Sequence, residues 1–231
     1  MTDKKSLNFD FLDDSPKKTD EKGSTPVATS GLVFNSDNVK FIPYFKECFT
    51  NFSKFAKENL VTANPKYLLL VIWVLGIGST IDRISISDFS SWGEVWVSVI
   101  FGGILAGAMA YYIGGWFYHV RVGWSKGTGE IDTSRNIYTF SSLPISVVVI
   151  GSLIFNQMAY GSDYFDTYYS DASRVDMIFG LLAIAAIGYS FYISYRAVRE
   201  IMNVQKSRAI WWFVVAPAIF YVVIFASALF E

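Results

Sequence analysis

The chain has one cysteine, Cys48, and one histidine, His119. A single cysteine excludes an intrachain disulfide. Together the two counts exclude most Cys/His metal sites and any His-based triad. Charge is scarce as well. Asp, Glu, Lys and Arg make up 17% of the residues, where a soluble domain carries about 25%. The formal net charge is −1, so global charge gives no case for a nucleic-acid partner. The N-terminal stretch MTDKKSLNFDFLDD is acidic early and has no apolar core, so it is not expected to be a signal peptide. No GxxxxGK[ST] phosphate loop occurs. No cofactor or metal is expected, and no enzymatic activity.

Long apolar runs are what the chain does have. From Val95 to Tyr118 there is no charged residue, enough for a helix to cross a bilayer, where about 20 apolar residues suffice. Small residues recur through it at four-residue spacing: Gly103 and Gly107, then Ala106, Ala110 and Gly114. That spacing puts them roughly on one helix face. Packing, rather than water exclusion, joins helices in lipid, so a small-residue face is where a neighbour comes close. The pattern predicts a helix-packing seam through Gly103, Gly107 and Gly114, with this helix near the centre of a bundle. Leucine at the seam should overpack it, while Val99→Leu and Ile104→Leu should be mild.

The fold expected is all-α: a polytopic bundle of five transmembrane helices, with an amphipathic interfacial helix and a disordered N-terminal tail. Residues 1–38 are polar and of mixed charge, too poor in apolar surface to fold alone. Residues 39–231 form the membrane domain. Residues 41–60 place Phe41, Phe45, Cys48, Phe49, Phe52, Phe55, Ala56 and Leu60 at helical spacing, with lysines off the stripe. This fits a helix lying on the membrane surface. The five spans are read at 65–83, 95–119, 138–161, 176–196 and 209–230. The first has only 15 uncharged residues, Tyr67 to Ile81, roughly 22 Å of helix against a core of about 30 Å. It must draw in its flanks, which brings Asp82 and Arg83 to the interface as a candidate polar pair. Such a pair is either functional or a mutually neutralising cap.

Between the spans, residues 121–135 read as a loop or short reentrant turn, and residues 196–208 as a basic connection. Pro144 either lies inside the third span or begins its regular helix, and Pro217 should kink the fifth. Asn156 and Gln157 suit interhelical hydrogen bonds. The acidic segment 163–176 matches no EF-hand and reads as a solvated loop. Basic residues set the orientation. With the N-terminus cytoplasmic, the inside flanks hold Lys40, Lys46, Lys54, Lys57, Lys66, Arg121, Lys126, Arg135, Arg196, Arg199, Lys206 and Arg208. The outside loops hold only Arg83 and Arg174. That bias alternates across every span, giving a cytoplasmic N-terminus and an outside C-terminus.

Four stretches carry a family likeness: GIGSTIDR at 76–83, the glycine-rich 102–115, SRNIYTFSSLP at 134–144, and GYSFYISYRAVREIMNVQKSRA at 188–209 before a proline-containing last span. With the polar tail and five spans, the chain resembles the Yip family (Ypt/Rab-interacting membrane proteins), prokaryotic branch. The resemblance implies a multi-pass protein of the prokaryotic cytoplasmic membrane. It also implies a non-enzymatic role, binding other membrane proteins or organising lipid. Eukaryotic members associate with small GTPases, but their acidic, proline-containing N-terminal motif is not located here, so a GTPase partner is doubtful. The alternative is a subunit of a transporter or channel, with Asp82, Arg83, Asn156 and Gln157 lining a path. The expected partners are thus the lipid bilayer and a membrane protein.

Overall fold

The computed structural model describes residues 40–84, 89–166 and 174–227. They form helices α1 (Phe41–Thr50), α2 (Phe52–Asn59), α3 (Pro65–Ile81), α4 (Trp92–Trp124), α5 (Ile131–Tyr160), α6 (Arg174–Ile201) and α7, which starts as Lys206–Ile210 and continues through Trp211–Val215 and Ala216–Ser227. A single turn, Asp163–Asp166, follows α5. The tail reading for 1–38, and the middle of the acidic segment at 167–173, lie outside the described residues.

Local chemistry sets the helix starts. Pro65 occupies the first turn of α3, where a missing N–H costs nothing, and the Asn64 side chain accepts from the Lys66 N–H at 3.1 Å. Ser91 caps α4, and the Glu94 carboxylate reaches back to accept from the Ser90 N–H at 2.9 Å.

Among the described residues four helices are long and apolar enough to cross a membrane: Trp92–Trp124, Ile131–Tyr160, Met177–Ile201 and Lys206–Val223. Pro65–Ile81 is apolar but only 17 residues long, about 25 Å of helix. Four of the five expected spans thus have helices long enough to cross, and the first is a shorter apolar helix.

The centre of the bundle differs from expectation. In its most apolar stretch α5 is 44% buried, and α4 only 17%. α5 packs against α3, α4 and α6. α4 lies to one side, presenting Phe101, Ile104, Leu105 and Ile113 outward. Its small residues mark close approach to neighbours, which does not require a central place. Val99 is fully buried, among Ile77, Val95 and Leu153, so it belongs to the core and is no neutral control position. Ile104 is exposed.

Three boundaries also move. The helix of α5 begins at Ile131, so Pro144 sits inside it, and the Ser141 and Ser142 hydroxyls donate back to the Tyr138 carbonyl at 3.1 and 2.9 Å. The expected loop of 121–135 shrinks to the turn between Trp124 and Ile131. The expected basic connection is largely helical, because Ala197, Val198 and Met202 continue the buried face of α6. Its charges point away, with Arg196 on Glu200 at 3.2 Å and Arg199 over the Tyr195 ring.

The predicted helix over 41–60 is two helices broken at Asn51, whose side chain caps the second by accepting from the Lys54 N–H. Its apolar stripe divides. Cys48, Phe52, Phe55, Ala56 and Leu60 are buried in the main core together with Tyr44 and Phe140, while Phe41 and Phe49 are exposed. The inward half is tied down by three polar contacts. Asn136 Nδ2 donates to the Leu60 carbonyl at 2.9 Å, Tyr189 Oη to the Phe49 carbonyl at 2.6 Å, and Lys57 pairs with Glu200 at 3.0 Å. Burial pushes the Cys48 thiol up to about 12.

Candidate functional site

The predicted seam residues meet different neighbours. A Cβ on Gly103 would lie 2.8 Å from Ile77 Cγ1, and one on Gly107 would run into the Ile72 carbonyl. Both therefore face α3. Gly114 faces α5 instead, where a Cβ would stand 2.7 Å from the Tyr138 ring. The residue that fits between Gly103 and Gly107 is Gly76, whose Cβ would strike the Gly103 carbonyl. Gly76 lies in the GIGS stretch of α3. The sequence shows Gly76 as a small residue in an apolar helix but not which helix it faces, and Gly78 two positions on faces Ser146 of α5 instead.

Asp82 and Arg83 end α3 on exposed positions. Among the described residues no ion pair joins them. Asp82 lines a cavity of about 380 Å³ with Asn156 and Ser152 of α5 and Phe179 of α6; Arg83 does not line it. The Asn156 Oδ1 is buried there with no hydrogen-bond partner. Gln157 is elsewhere, its Oε1 accepting from Trp96 Nε1 at 2.7 Å. Of the four polar residues considered for a path, the structure thus brings together two, Asp82 and Asn156.

His119 does have a serine partner. Its Nδ1 lies 2.9 Å from Ser134 Oγ. Ser134 is fully buried and its hydroxyl donates to the Glu130 carbonyl at 3.3 Å, one turn back. The pair therefore ties α4 to the start of α5, with the serine hydroxyl enclosed. Among the described residues no three His, Cys, Asp or Glu side chains come together as metal ligands would.

The larger feature is a cavity of about 490 Å³ between α4, α5, α6 and α7. Its walls are Phe117, Tyr118 and Trp124 from α4, Tyr138 and Ile145 from α5, Phe191 from α6, and Phe213, Phe220 and Tyr221 from α7. Four serines line it as well: Ser141, Ser142, Ser190 and Ser194. Ser194 Oγ and Tyr118 Oη share a hydrogen bond of 2.7 Å. Ser190 Oγ is buried and unpartnered.

One cation stands in this cavity, Arg121. Backbone chemistry holds it. In Trp211–Val215 the helix widens into a π turn, and the Ala216 N–H goes to the Trp211 carbonyl. The next donor in that register would be residue 217, which is proline and has no N–H. The Trp212 carbonyl loses its helical partner, and Arg121 Nη1 donates to it at 3.4 Å. The guanidinium also lies over the rings of Tyr118 and Phe213, 5.0 and 5.1 Å from their centroids. Its Nε is buried with no partner. The sequence marks Arg121 only as an inside charge, because nothing in it places residue 121 beside the Trp212 carbonyl.

Comparison with known proteins gives one family: the model described as the Yip1 domain matches residues 47–227. None of the curated proteins and none of the solved structures matches the chain.

Proposed function

The chain belongs to the Yip1 domain family, a family of membrane proteins, and from that membership we propose that it works without catalysis, by binding other membrane proteins or organising lipid. The observation that carries this reading is the cavity between α4, α5, α6 and α7, whose walls are mostly aromatic and aliphatic. A pocket with apolar walls inside a membrane bundle suits a membrane-borne ligand or helix. Five helices cross, the short α3 included, with the N-terminus cytoplasmic and the C-terminus outside, in a prokaryotic cytoplasmic membrane. The distribution of lysine and arginine supports that orientation.

Crosslinking in native membranes, with mass-spectrometric identification of what is joined to Trp124 or Phe220, tests the binding reading. Reproducible lipid or membrane-protein adducts at these positions are expected, and none at either would sink it. Reporters active only outside should work after Glu231 and fail at Gln205; the reverse would overturn the orientation.

A second reading, a subunit of a transporter or channel, draws on the smaller cavity that Asp82 shares with Asn156. Polar groups inside a bundle mark ion paths in transporters. Ion or solute flux in reconstituted vesicles that is lost in Asp82→Asn would favour it over the first.

A further inference from the structure

We infer that the cavity between α4, α5, α6 and α7 binds an anionic phospholipid, with the lipid phosphate at Arg121 and an acyl chain along the aromatic wall. This rests on the lipid half of the reading above and names the ligand class for the same cavity.

A guanidinium stays charged in any protein environment. Arg121 is half-buried with its Nε fully so, and a charge partly withdrawn from water favours a counter-charge, because burial of an isolated ion is costly. Arg121 has none from the protein: among the described residues the ion pairs involve Lys54, Lys57, Arg135 and Arg196. Its contacts are a carbonyl and the rings of Phe117, Tyr118 and Phe213, which orient the charge without neutralising it. Its buried Nε still has a proton to donate. A planar donor fork with a free N–H is the group that grips phosphate oxygens best. The Ser190 hydroxyl, unpartnered in the same cavity, supplies a further donor.

The rest of the cavity selects the tail. Phe191, Phe213 and Phe220 line it, and a free oxyanion would leave those rings unfilled. A volume of about 490 Å³ falls in the roughly 300–1,000 Å³ range of ligand pockets. One cation and a mostly apolar wall together describe an amphiphile with a single anionic head, which the bilayer itself supplies. Only part of such a lipid need enter, since α7 is the least enclosed of the spanning helices.

The test uses the full chain in nanodiscs of equal phosphatidylglycerol and phosphatidylcholine, extracted into mild detergent and read by native mass spectrometry. The wild type should retain phosphatidylglycerol roughly tenfold over phosphatidylcholine, the scale of one charge-assisted hydrogen bond. Arg121→Gln should bring that ratio close to one, and Arg121→Lys should fall between. Arg208→Gln is the control: Arg208 is an exposed cation that donates to the Trp124 carbonyl but does not line the cavity. It should leave the ratio unchanged. Ser190→Leu removes an unpartnered hydroxyl and fills space, so it should lower retention of both lipids and keep the fold. That variant decides the matter if Arg121→Gln fails to fold.

Equal retention of the two lipids by the wild type, an unchanged ratio in folded Arg121→Gln, or full retention by folded Ser190→Leu would overturn the site. Displacement of the lipid by millimolar inorganic phosphate would overturn the role of the tail. A wild type that retains neither lipid yet still crosslinks to a membrane protein overturns this inference and leaves the protein-binding reading standing.

Discussion

Replacing Gly76 with alanine is the sharpest perturbation of the fold. A Cβ there would collide with the Gly103 carbonyl and stand 2.7 Å from Gly107 Cα. Both obstacles are backbone, so no rotamer change relieves them, and α3 and α4 must move apart. The cost is that of overpacking, about 1–3 kcal/mol, to which lost dispersion along the contact adds. Gly107→Ala meets the Ile72 carbonyl and should cost a similar amount. Gly188 is the matched control, a helical glycine on α6 with no atom within 4 Å of its added Cβ. Gly188→Ala should be neutral or gain up to about 1 kcal/mol in helix propensity. At about 2–4 °C per kcal/mol for a chain of this size, the two seam variants should melt roughly 2–12 °C below wild type in detergent. Melting of Gly76→Ala and Gly107→Ala together with Gly188→Ala would refute the close approach of α3 and α4.

Cys48 should resist alkylation at pH 8 in mild detergent and react about 1,000-fold faster once SDS unfolds the chain, the ratio implied by a shift from about 9 to about 12. Because the folded value is raised, this group's contribution to stability is intact below about pH 9 and is lost as pH climbs toward 12. A melting temperature flat from pH 9 to 11 would count against it. Asn136→Ala removes the donor to the Leu60 carbonyl, so about 1–2 kcal/mol should go. Residues 61–64, between α2 and α3, should then be cut faster by protease; unchanged cleavage would mean that Asn136 does not hold α2.

Much of the fold was legible because helical period and apolar length are local properties. The apolar runs at 95–119 and 138–161 announced two of the long helices, and the four family stretches pointed to the same family that the domain match gives. What stayed hidden depends on partners distant in sequence. The period of 41–60 shows an apolar face but not what covers it, and Phe55 is covered by Phe140, 85 positions away. The count of charges along 196–208 suggested a connection, yet buried Ala197 and Val198 extend α6 through it. His119 looked alone since Ser134 reaches it only when α4 folds back on α5.

The seam and the cavity are linked by one irregularity that no spacing rule foretells. At Ala110–Gly114 α4 widens into a π turn. An extra residue in a helix rotates everything after it by about 100°. Before the turn, Gly103 and Gly107 face α3. At its end and just beyond, Gly114 and Gly115 face Tyr138 and Arg135 of α5, so the helix has changed partners. The small-residue face that regular helical spacing draws as one seam is therefore two, with Gly114 on the second. The same rotation carries Tyr118 and Arg121 to the side where α7 passes, and α7 has its own π turn there, just ahead of Pro217. The turn in α7 frees the Trp212 carbonyl, and the stretch of α4 that follows its own turn brings Arg121 to it. π turns concentrate at functional sites, and here they account for both the space between α4 and α7 and the single charge that stands in it.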